Sequence, residues 1–193
     1  KMSRSSFFIL GFITLFGFSA LGFAIINFFG NNAWFEMFQG NYSFLTQAPL
    51  GLAYGFATGF LGWKLIRSKW LNQSLNRYAN LIQALELNIH EIIFISFCAG
   101  FGEEVLFRGA IQPFLGVWIT AVVFVAIHGY LNPKDWKISV YGLFMTLIIA
   151  GIGYGFLYLG IWFSIFAHIA IDIILLKKLN DWKVDSLQSE LEE

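Results

Sequence analysis

The sequence predicts an all-α protein, a polytopic transmembrane helical bundle of about six spans, from its composition, its long uncharged runs and the placement of its basic residues. Of its 193 residues, 58% are hydrophobic and 12% are charged, whereas soluble domains carry about 25% charged residues. Residues 7–29 include no charged side chain, and residues 109–133 include only a histidine that becomes charged on protonation. Since a helix needs about 20 apolar residues to cross a bilayer, these runs predict membrane spans.

We expect the spans to form a single membrane-embedded domain over residues 1–193. Their approximate limits are 7–29, 46–66, 88–111, 114–131, 138–158 and 160–178. Residues 68–87 carry apolar side chains at helical spacing and polar ones elsewhere, which predicts an interfacial amphipathic helix. Residues 181–193 are polar and acidic, which predicts a cytoplasmic tail in water.

Basic residues predict the orientation of the spans. With six spans, the basic clusters all fall on one side of the membrane, and the positive-inside rule makes that side cytoplasmic. Both termini are then expected in the cytoplasm. The clusters are Lys1 with Arg4, the basic residues of 64–77, Lys134 with Lys137, and the lysines of 177–183. A net charge of zero gives no indication of nucleic acid, so we expect the lipid bilayer and a peptide or protein substrate as partners.

Polar residues at membrane depth are the main indication of function, because charges there are costly and are retained chiefly for function. A helical rise of about 1.5 Å per residue places them in one layer, roughly 12 to 22 Å below the outer surface. They come from three predicted spans. The set comprises Glu103, Glu104, Arg108, His128, His168 and Asp172.

Spacing within each span assigns partners to these residues. Glu104 and Arg108 are four residues apart on one helical face, and Glu103 points about 100° away. Arg108 is therefore expected to pair with Glu104 and to leave Glu103 free. His168 and Asp172 are likewise one turn apart. Glycines around the acids, at 100, 102 and 109, would permit close approach of neighbouring helices.

The predicted chemistry is hydrolysis. A partly desolvated carboxylate such as Glu103 takes a proton from water, with an imidazole to orient that water. A second imidazole with its acidic neighbour stabilises an oxyanion. An alternative is that Glu103, His128 and His168 bind Zn²⁺ and leave a position open for water. We expect no strict need for zinc, because three ligands on three separate helices make a sparse site.

Three motifs together resemble the CPBP (Abi) family of intramembrane proteases, which includes the type II CaaX prenyl endopeptidases. These are Glu103-Glu104-x-x-x-Arg108, Phe124-x-x-x-His128 and His168-x-x-x-Asp172, within residues 88–176. The resemblance implies that Glu103 and His128 activate water and that His168 and Asp172 help to hold the oxyanion, with Glu104 and Arg108 supporting the site. It also implies a compact bacterial member in the cytoplasmic membrane, since prenyl-endopeptidase members generally have more spans.

The leading functional prediction is therefore an intramembrane endopeptidase that cleaves a peptide or a membrane-tethered protein. A non-catalytic membrane scaffold or immunity protein is the first alternative. A transporter with Glu103 and Asp172 as proton carriers is the second, although no internal repeat supports it. For single residues, structural roles are the alternative to catalytic ones. Phe124 is expected to serve in packing, and the alternative for His128 is a solvated side chain at the membrane interface.

Overall fold

A computed structural model describes residues 3–30 and 34–182, and all regular secondary structure within those ranges is helical. The all-α prediction is confirmed. The predicted tail lies outside the described residues from 183 onward. The helices, in chain order, are α1 (Arg4–Phe12), α2 (Ser19–Phe29), α3 (Trp34–Gln39), α4 (Phe44–Ile66), α5 (Asn72–Gln83), α6 (Ile89–Glu104), α7 (Gln112–Ile127), α8 (Trp136–Tyr158) and α9 (Ile161–Asp181).

Two π-helical segments join consecutive α-helices without a break in the helical course. The first, Ile13–Phe18, joins α1 to α2, and the second, Val105–Ile111, joins α6 to α7. The second begins directly after the two glutamates. π-Helical turns are rare in proteins, and those that occur are often found at functional sites. The backbone is therefore irregular where the sequence places its buried charges.

Three stretches of the described chain are long and apolar enough to cross a membrane: Arg4–Phe29, Ile89–Ile127 and Trp136–Tyr158. The protein is therefore a helical membrane protein, but the predicted number of six spans is not confirmed. Helices α4 and α9 correspond to two of the predicted spans and are long enough. They are less apolar, since α4 carries Gln47 and several glycines, and α9 carries charged residues.

The third and fourth predicted spans lie in one helical run that bends sharply at Gly116. The backbone of Gly116 has φ 73° and ψ 171°, which is not helical. Only glycine adopts such a conformation readily. The helix after the bend runs from 117 to 127 and is about 16 Å long, roughly half the thickness of a hydrocarbon core. It ends at Ile127, with His128 as its C-terminal capping residue.

Helix α4 packs tightly against α9 through a row of glycines. A Cβ atom at Gly51 would overlap the carbonyl oxygen of Phe163, and one at Gly55 would overlap that of Ala167. Small residues at this spacing let two membrane helices approach closely. This contact fixes the height and rotation of α9, and hence the position of His168.

The predicted amphipathic helix is present as α5, and its location at the membrane interface stays a prediction. It packs on α8 and α9. Gln83 donates hydrogen bonds to the carbonyl oxygens of Leu179 and Trp182 at the end of α9. Asn180 exchanges two hydrogen bonds with the backbone of Leu87 just beyond α5. Helix α5 therefore covers the end of the bundle at which α9 finishes.

Candidate active site

The polar residues predicted from the sequence meet in the structure, although they come from separate elements. Glu103 and Glu104 end α6, and Arg108 lies in the π-helical segment that follows. His128 caps α7, while His168 and Asp172 lie one turn apart on α9. Ion-pair contacts connect α6 with both α7 and α9.

Glycines allow the helices around the acids to approach one another, as the sequence predicted. A Cβ atom at Gly100 would lie 2.6 Å from Cγ1 of Ile169, so α6 contacts α9 at its backbone. A Cβ atom at Gly102 would overlap the carbonyl oxygen of Thr14 in the first π-helical segment. The end of α6 is thus held between two neighbours, and the side chains of Glu103 and Glu104 have little freedom to move.

Glu104 is a fully buried carboxylate with both oxygens occupied. Its Oε2 accepts a hydrogen bond from Arg108 Nε at 2.9 Å, and its Oε1 lies 2.8 Å from His168 Nδ1. Both Glu104 and Arg108 are completely inaccessible to solvent. Buried charges persist only when they are paired and hydrogen-bonded. Glu104 therefore supports the site by connecting α6 with α9, and its oxygens are not free to bind water.

Arg108 extends this polar network toward α8. Its Nη1 lies 3.4 Å from Gln112 Oε1, and Gln112 in turn donates to the carbonyl oxygen of Gly153 at 3.0 Å. Gln112 was not among the predicted site residues. Its spacing of four residues from Arg108 within an apolar segment was the available signal.

Glu103 differs from Glu104 in both exposure and partners. Its side chain is 12% exposed, and its Oε2 lies 3.4 Å from His128 Nε2. That oxygen accepts no hydrogen bond from any described residue. His128 Nδ1 lies 2.7 Å from the carbonyl oxygen of Phe124, which only accepts, so Nδ1 carries the proton. Neutral His128 therefore presents its Nε2 lone pair toward Glu103.

His168 lies between two carboxylates. Its Nδ1 contacts Glu104, and its Nε2 lies 3.6 Å from Asp172 Oδ2, longer than a hydrogen bond. Asp172 is 27% exposed, whereas His168 is 7% exposed. Glu104 holds the ring and Asp172 flanks its outer edge, so a donor at Nε2 is directed toward the accessible side of the site.

The ring of Phe124 packs among the functional groups and is buried. It stacks on His128 with centroids 4.4 Å apart and meets His168 edge-on at 5.6 Å. Cζ of Arg108 lies 5.5 Å from the centre of the same ring, close enough for a cation–π contact. The sequence predicted packing for Phe124. In the structure, its ring also keeps the two imidazoles apart and orients them.

The residues at the site do not suit a zinc ion. Within residues 3–30 and 34–182, no group of three histidine, cysteine, aspartate or glutamate side chains is arranged to hold a metal. Each nitrogen of His168 faces a carboxylate oxygen, and Nδ1 of His128 is bonded to the backbone. Only Nε2 of each ring is then left for a metal, and no set of three described side chains converges on one position with it.

The structure therefore brings together all six predicted site residues, while their chemical roles stay predictions. Pairing of Glu104 with Arg108 follows the helical spacing, as expected. The contact between Glu104 and His168 was not predicted, because the two residues are 64 positions apart. Spacing along the chain carries no signal for it.

Comparison with known proteins shows what the residues around this site are similar to. The family described as Type II CAAX prenyl endopeptidase Rce1-like matches residues 85–174. The uncharacterized protein YpbD of Bacillus subtilis (strain 168) is 42% identical over 41 residues, which is 21% of this chain and 22% of that protein. The match thus spans about a fifth of the relative's length. No solved structure matches the chain.

The matched residues contain all three motifs and every side chain of the candidate site. They run from just before α6 to the middle of α9. The predicted family resemblance is confirmed, since residues 85–174 are similar to the Rce1-like type II CAAX prenyl endopeptidases.

Proposed function

We propose that this protein is an intramembrane endopeptidase that hydrolyses a peptide or membrane-tethered protein with water activated by Glu103 and His128. The observation that carries the proposal is the contact between Glu103 Oε2 and His128 Nε2 at 3.4 Å, with Oε2 accepting no hydrogen bond from the described residues. A carboxylate without a structural partner is costly inside a membrane protein. Its proximity to a partly exposed imidazole suits acid–base catalysis.

In the proposed reaction, Glu103 takes a proton from water while the water oxygen bonds to the scissile carbonyl carbon. Nε2 of neutral His128 accepts a hydrogen bond from the same water and so orients it, since Nδ1 is fixed by Phe124. The C–N bond then breaks. The leaving amine receives the proton that Glu103 had taken, so the carboxylate returns to its starting state.

The carbonyl oxygen becomes negative during this attack and needs a hydrogen-bond donor. We propose His168 Nε2 for that role, because Glu104 occupies only Nδ1 and Asp172 lies too far from Nε2 to form a hydrogen bond. In the proposed reaction His168 is protonated, so it donates from Nδ1 to Glu104 and from Nε2 to the carbonyl oxygen. A donor fixed in advance costs no reorganisation when the charge develops.

Glu104 and Arg108 support the proposed reaction indirectly. Their buried ion pair fixes the end of α6 and orients His168 through Glu104. In this proposal Glu103 activates water and Glu104 supports the structure. The burial and hydrogen bonds of the two side chains agree with these roles, because Glu104 is fully buried and paired whereas Glu103 is partly exposed. Localisation in a bacterial cytoplasmic membrane with both termini inside is part of the same proposal, and the distribution of lysine and arginine supports it.

The test is a proteomic comparison of bacterial membranes that contain the wild-type protein or the Glu103→Ala or His128→Ala variant at equal abundance. We expect peptides with new termini only with the wild type. Glu86→Gln and His90→Ala are the matched controls, because both residues are exposed and lie outside the site. Both control proteins should yield the wild-type pattern.

Loss of cleavage in the site variants must occur with unchanged membrane insertion and thermal unfolding. Persistent cleavage by both Glu103→Ala and His128→Ala would refute the mechanism. Unchanged membrane peptides together with retained biological activity of both variants would favour the scaffold or immunity alternative.

A further inference from the structure

Gln112 is a buried amide that connects the candidate site with α8. It is 3% exposed and is the first residue of α7, directly after the second π-helical segment. Its Oε1 lies 3.4 Å from Nη1 of Arg108, and its Nε2 donates to the carbonyl oxygen of Gly153 at 3.0 Å. Both polar ends of the side chain thus have partners, as burial of an amide requires. Through Gln112, the backbone of α8 is linked to the guanidinium of Arg108.

The guanidinium of Arg108 has few contacts that fix its plane. Its Nε donates to Glu104, and its Nη2 is buried without a hydrogen-bond partner among the described residues. Because the group is planar and rigid, acceptors at two of its nitrogens are needed to fix its rotation about the contact with Glu104. Gln112 supplies the second acceptor. Without Gln112, only one hydrogen bond to a described residue would orient the guanidinium.

The orientation of Arg108 affects both imidazoles of the site. Glu104 accepts from Arg108 with one oxygen and contacts His168 with the other. A carboxylate that follows a tilted guanidinium therefore changes its contact with His168. On the opposite side, Cζ of Arg108 lies 5.5 Å from the centre of the Phe124 ring, which stacks on His128 at 4.4 Å. A change in the plane of the guanidinium thus reaches both histidines.

We propose that Gln112 is a positioning residue, which fixes the plane of Arg108 from α8 and thereby orients His168 and His128. Its amide contacts neither histidine and no substrate in this proposal. The expected effect on catalysis rests on the proposed function. The expected effect on the imidazoles does not, because it can be measured without any substrate.

Gln47 is the matched control, because it is a second buried glutamine with both polar ends bonded. It is fully buried, donates to the carbonyl oxygen of Tyr42 and accepts from the backbone N–H of Trp162 at the start of α9. These partners are backbone atoms outside the candidate site. Loss of either amide should lower stability, so Gln47→Met separates this general effect from the positioning effect of Gln112→Met.

Gly153 offers a second way to disturb the amide without its replacement. A Cβ atom at this position would lie 2.6 Å from Oε1 of Gln112 and 2.9 Å from Cγ1 of Val117. Both are side-chain atoms, which can rotate aside while the backbone stays in place. Gly153→Ala should therefore displace the amide from Arg108 in a folded protein. Gly17→Ala is its control, since a Cβ atom there would make only an ordinary contact at 3.7 Å.

The first experiment records the imidazole resonances of purified full-length protein in lipid nanodiscs, with ¹⁵N-labelled histidine. The chain has three histidines, so His90→Ala and His168→Asn identify the signals. We expect Gln112→Met and Gly153→Ala to shift the Nδ1 resonance of His168, because its contact with the neighbouring carboxylate changes.

The two control variants should leave the His168 resonances in place, even though Gln47→Met lowers the midpoint of thermal unfolding. Unchanged His168 resonances in both Gln112→Met and Gly153→Ala would overturn the proposal. Should Gln112→Met fail to fold, Gly153→Ala decides the question alone. An equal shift in Gln47→Met would also overturn it, since the shift would then reflect a general loss of packing.

The second experiment measures kcat and KM per folded protein on a substrate peptide identified by the proteomic comparison. We expect Gln112→Met to lower kcat by up to about 10²-fold with KM nearly unchanged, since misplacement of catalytic groups by about 1 Å has an effect of this size. Gln47→Met should retain the wild-type kcat. A shifted His168 resonance with an unchanged kcat in Gln112→Met would overturn the role of Gln112 in catalysis.

Failure of the proposed function has a separate signature. If the wild type cleaves no peptide, or Glu103→Ala cleaves as the wild type does, the peptidase proposal is refuted. A shift of the His168 resonance in Gln112→Met would still show that Gln112 orients this imidazole. If the wild type cleaves and Glu103→Ala does not, an unshifted resonance refutes the positioning role alone.

Discussion

Glu104 Oε1 lies 2.8 Å from His168 Nδ1, so a carboxylate at the end of α6 holds an imidazole in the middle of α9. The second oxygen of the same carboxylate, Oε2, accepts a hydrogen bond from Nε of Arg108. Glu103, the preceding residue, contacts His128 of α7 instead. Two consecutive glutamates thus connect α6 with two different helices, and only Glu103 retains an oxygen available for chemistry.

Substitution of Glu103 should remove activity without loss of stability. We expect Glu103→Gln to lower kcat by about 10²- to 10⁴-fold, the usual contribution of a general base. Its Oε2 accepts no hydrogen bond from any described group, so the midpoint of thermal unfolding in detergent should stay unchanged. Cleavage of a substrate peptide identified by the proteomic comparison gives kcat.

Glu86→Gln is the control for this substitution and should retain full activity, because Glu86 is exposed outside the site. A Glu103→Gln protein that retains wild-type kcat would contradict the assignment of Glu103 as base.

Substitution of Glu104 should mainly affect stability. We expect Glu104→Gln to destabilise the protein by about 3–5 kcal/mol, because it leaves the guanidinium of Arg108 buried without a counter-charge. Unfolding of the purified protein in an SDS titration measures this free energy.

The double variant Glu104→Gln/Arg108→Gln completes the cycle for this pair. Its destabilisation should be smaller than the sum of the two single effects, with a coupling energy of about 0.5–3 kcal/mol. Additive effects would show that the buried pair does not act as a unit.

Phe124 should affect catalysis through the orientation of His128. We expect Phe124→Leu to lower kcat/KM by up to about tenfold, since an aromatic contact contributes about 0.5–1.5 kcal/mol. The pH profile of kcat/KM should shift as well, because the stacked imidazole of His128 changes its surroundings. Val123→Leu, at the neighbouring and more exposed position on α7, is the control. An unaltered pH profile together with an unaltered kcat/KM would limit Phe124 to packing.

Close packing of α4 on α9 predicts a difference between two glycine substitutions. Gly55→Ala should destabilise the protein by about 1–3 kcal/mol, because its Cβ would overlap the carbonyl oxygen of Ala167 and force the helices apart. Gly17→Ala should be neutral or slightly stabilising, since its Cβ would meet only an ordinary contact with Ile13 at 3.7 Å. Thermal unfolding compares the two variants, and equal effects would rule out the proposed close contact.

Dependence on zinc is tested by removal of metal from the active protein. Since no three of the described histidine, cysteine, aspartate and glutamate side chains are arranged to hold a metal, we expect dialysis against 1,10-phenanthroline to leave the cleavage rate unchanged. Elemental analysis of the purified protein should show less than stoichiometric zinc. Stoichiometric zinc, with chelator-induced loss of activity that added zinc restores, would contradict this prediction.

The sequence alone determined the helical membrane class, and it predicted the six polar residues that the structure brings together. Both follow from local properties: uncharged runs as long as a bilayer is thick identify membrane helices, and charges within such runs are too costly to be incidental. Pairing of Glu104 with Arg108 was equally predictable, because helical geometry places residues four positions apart on one face.

Tertiary structure alone decided which helix each glutamate contacts. Glu104 reaches His168 because Gly100 lets α6 approach α9, and the bend at Gly116 redirects α7, at whose end His128 contacts Glu103. An apolar cavity beside Asp172 is likewise lined by side chains from six helices and from the segment after α7. Contacts of this kind depend on backbone approach and side-chain packing between residues distant in the chain, for which sequence periodicity has no signal.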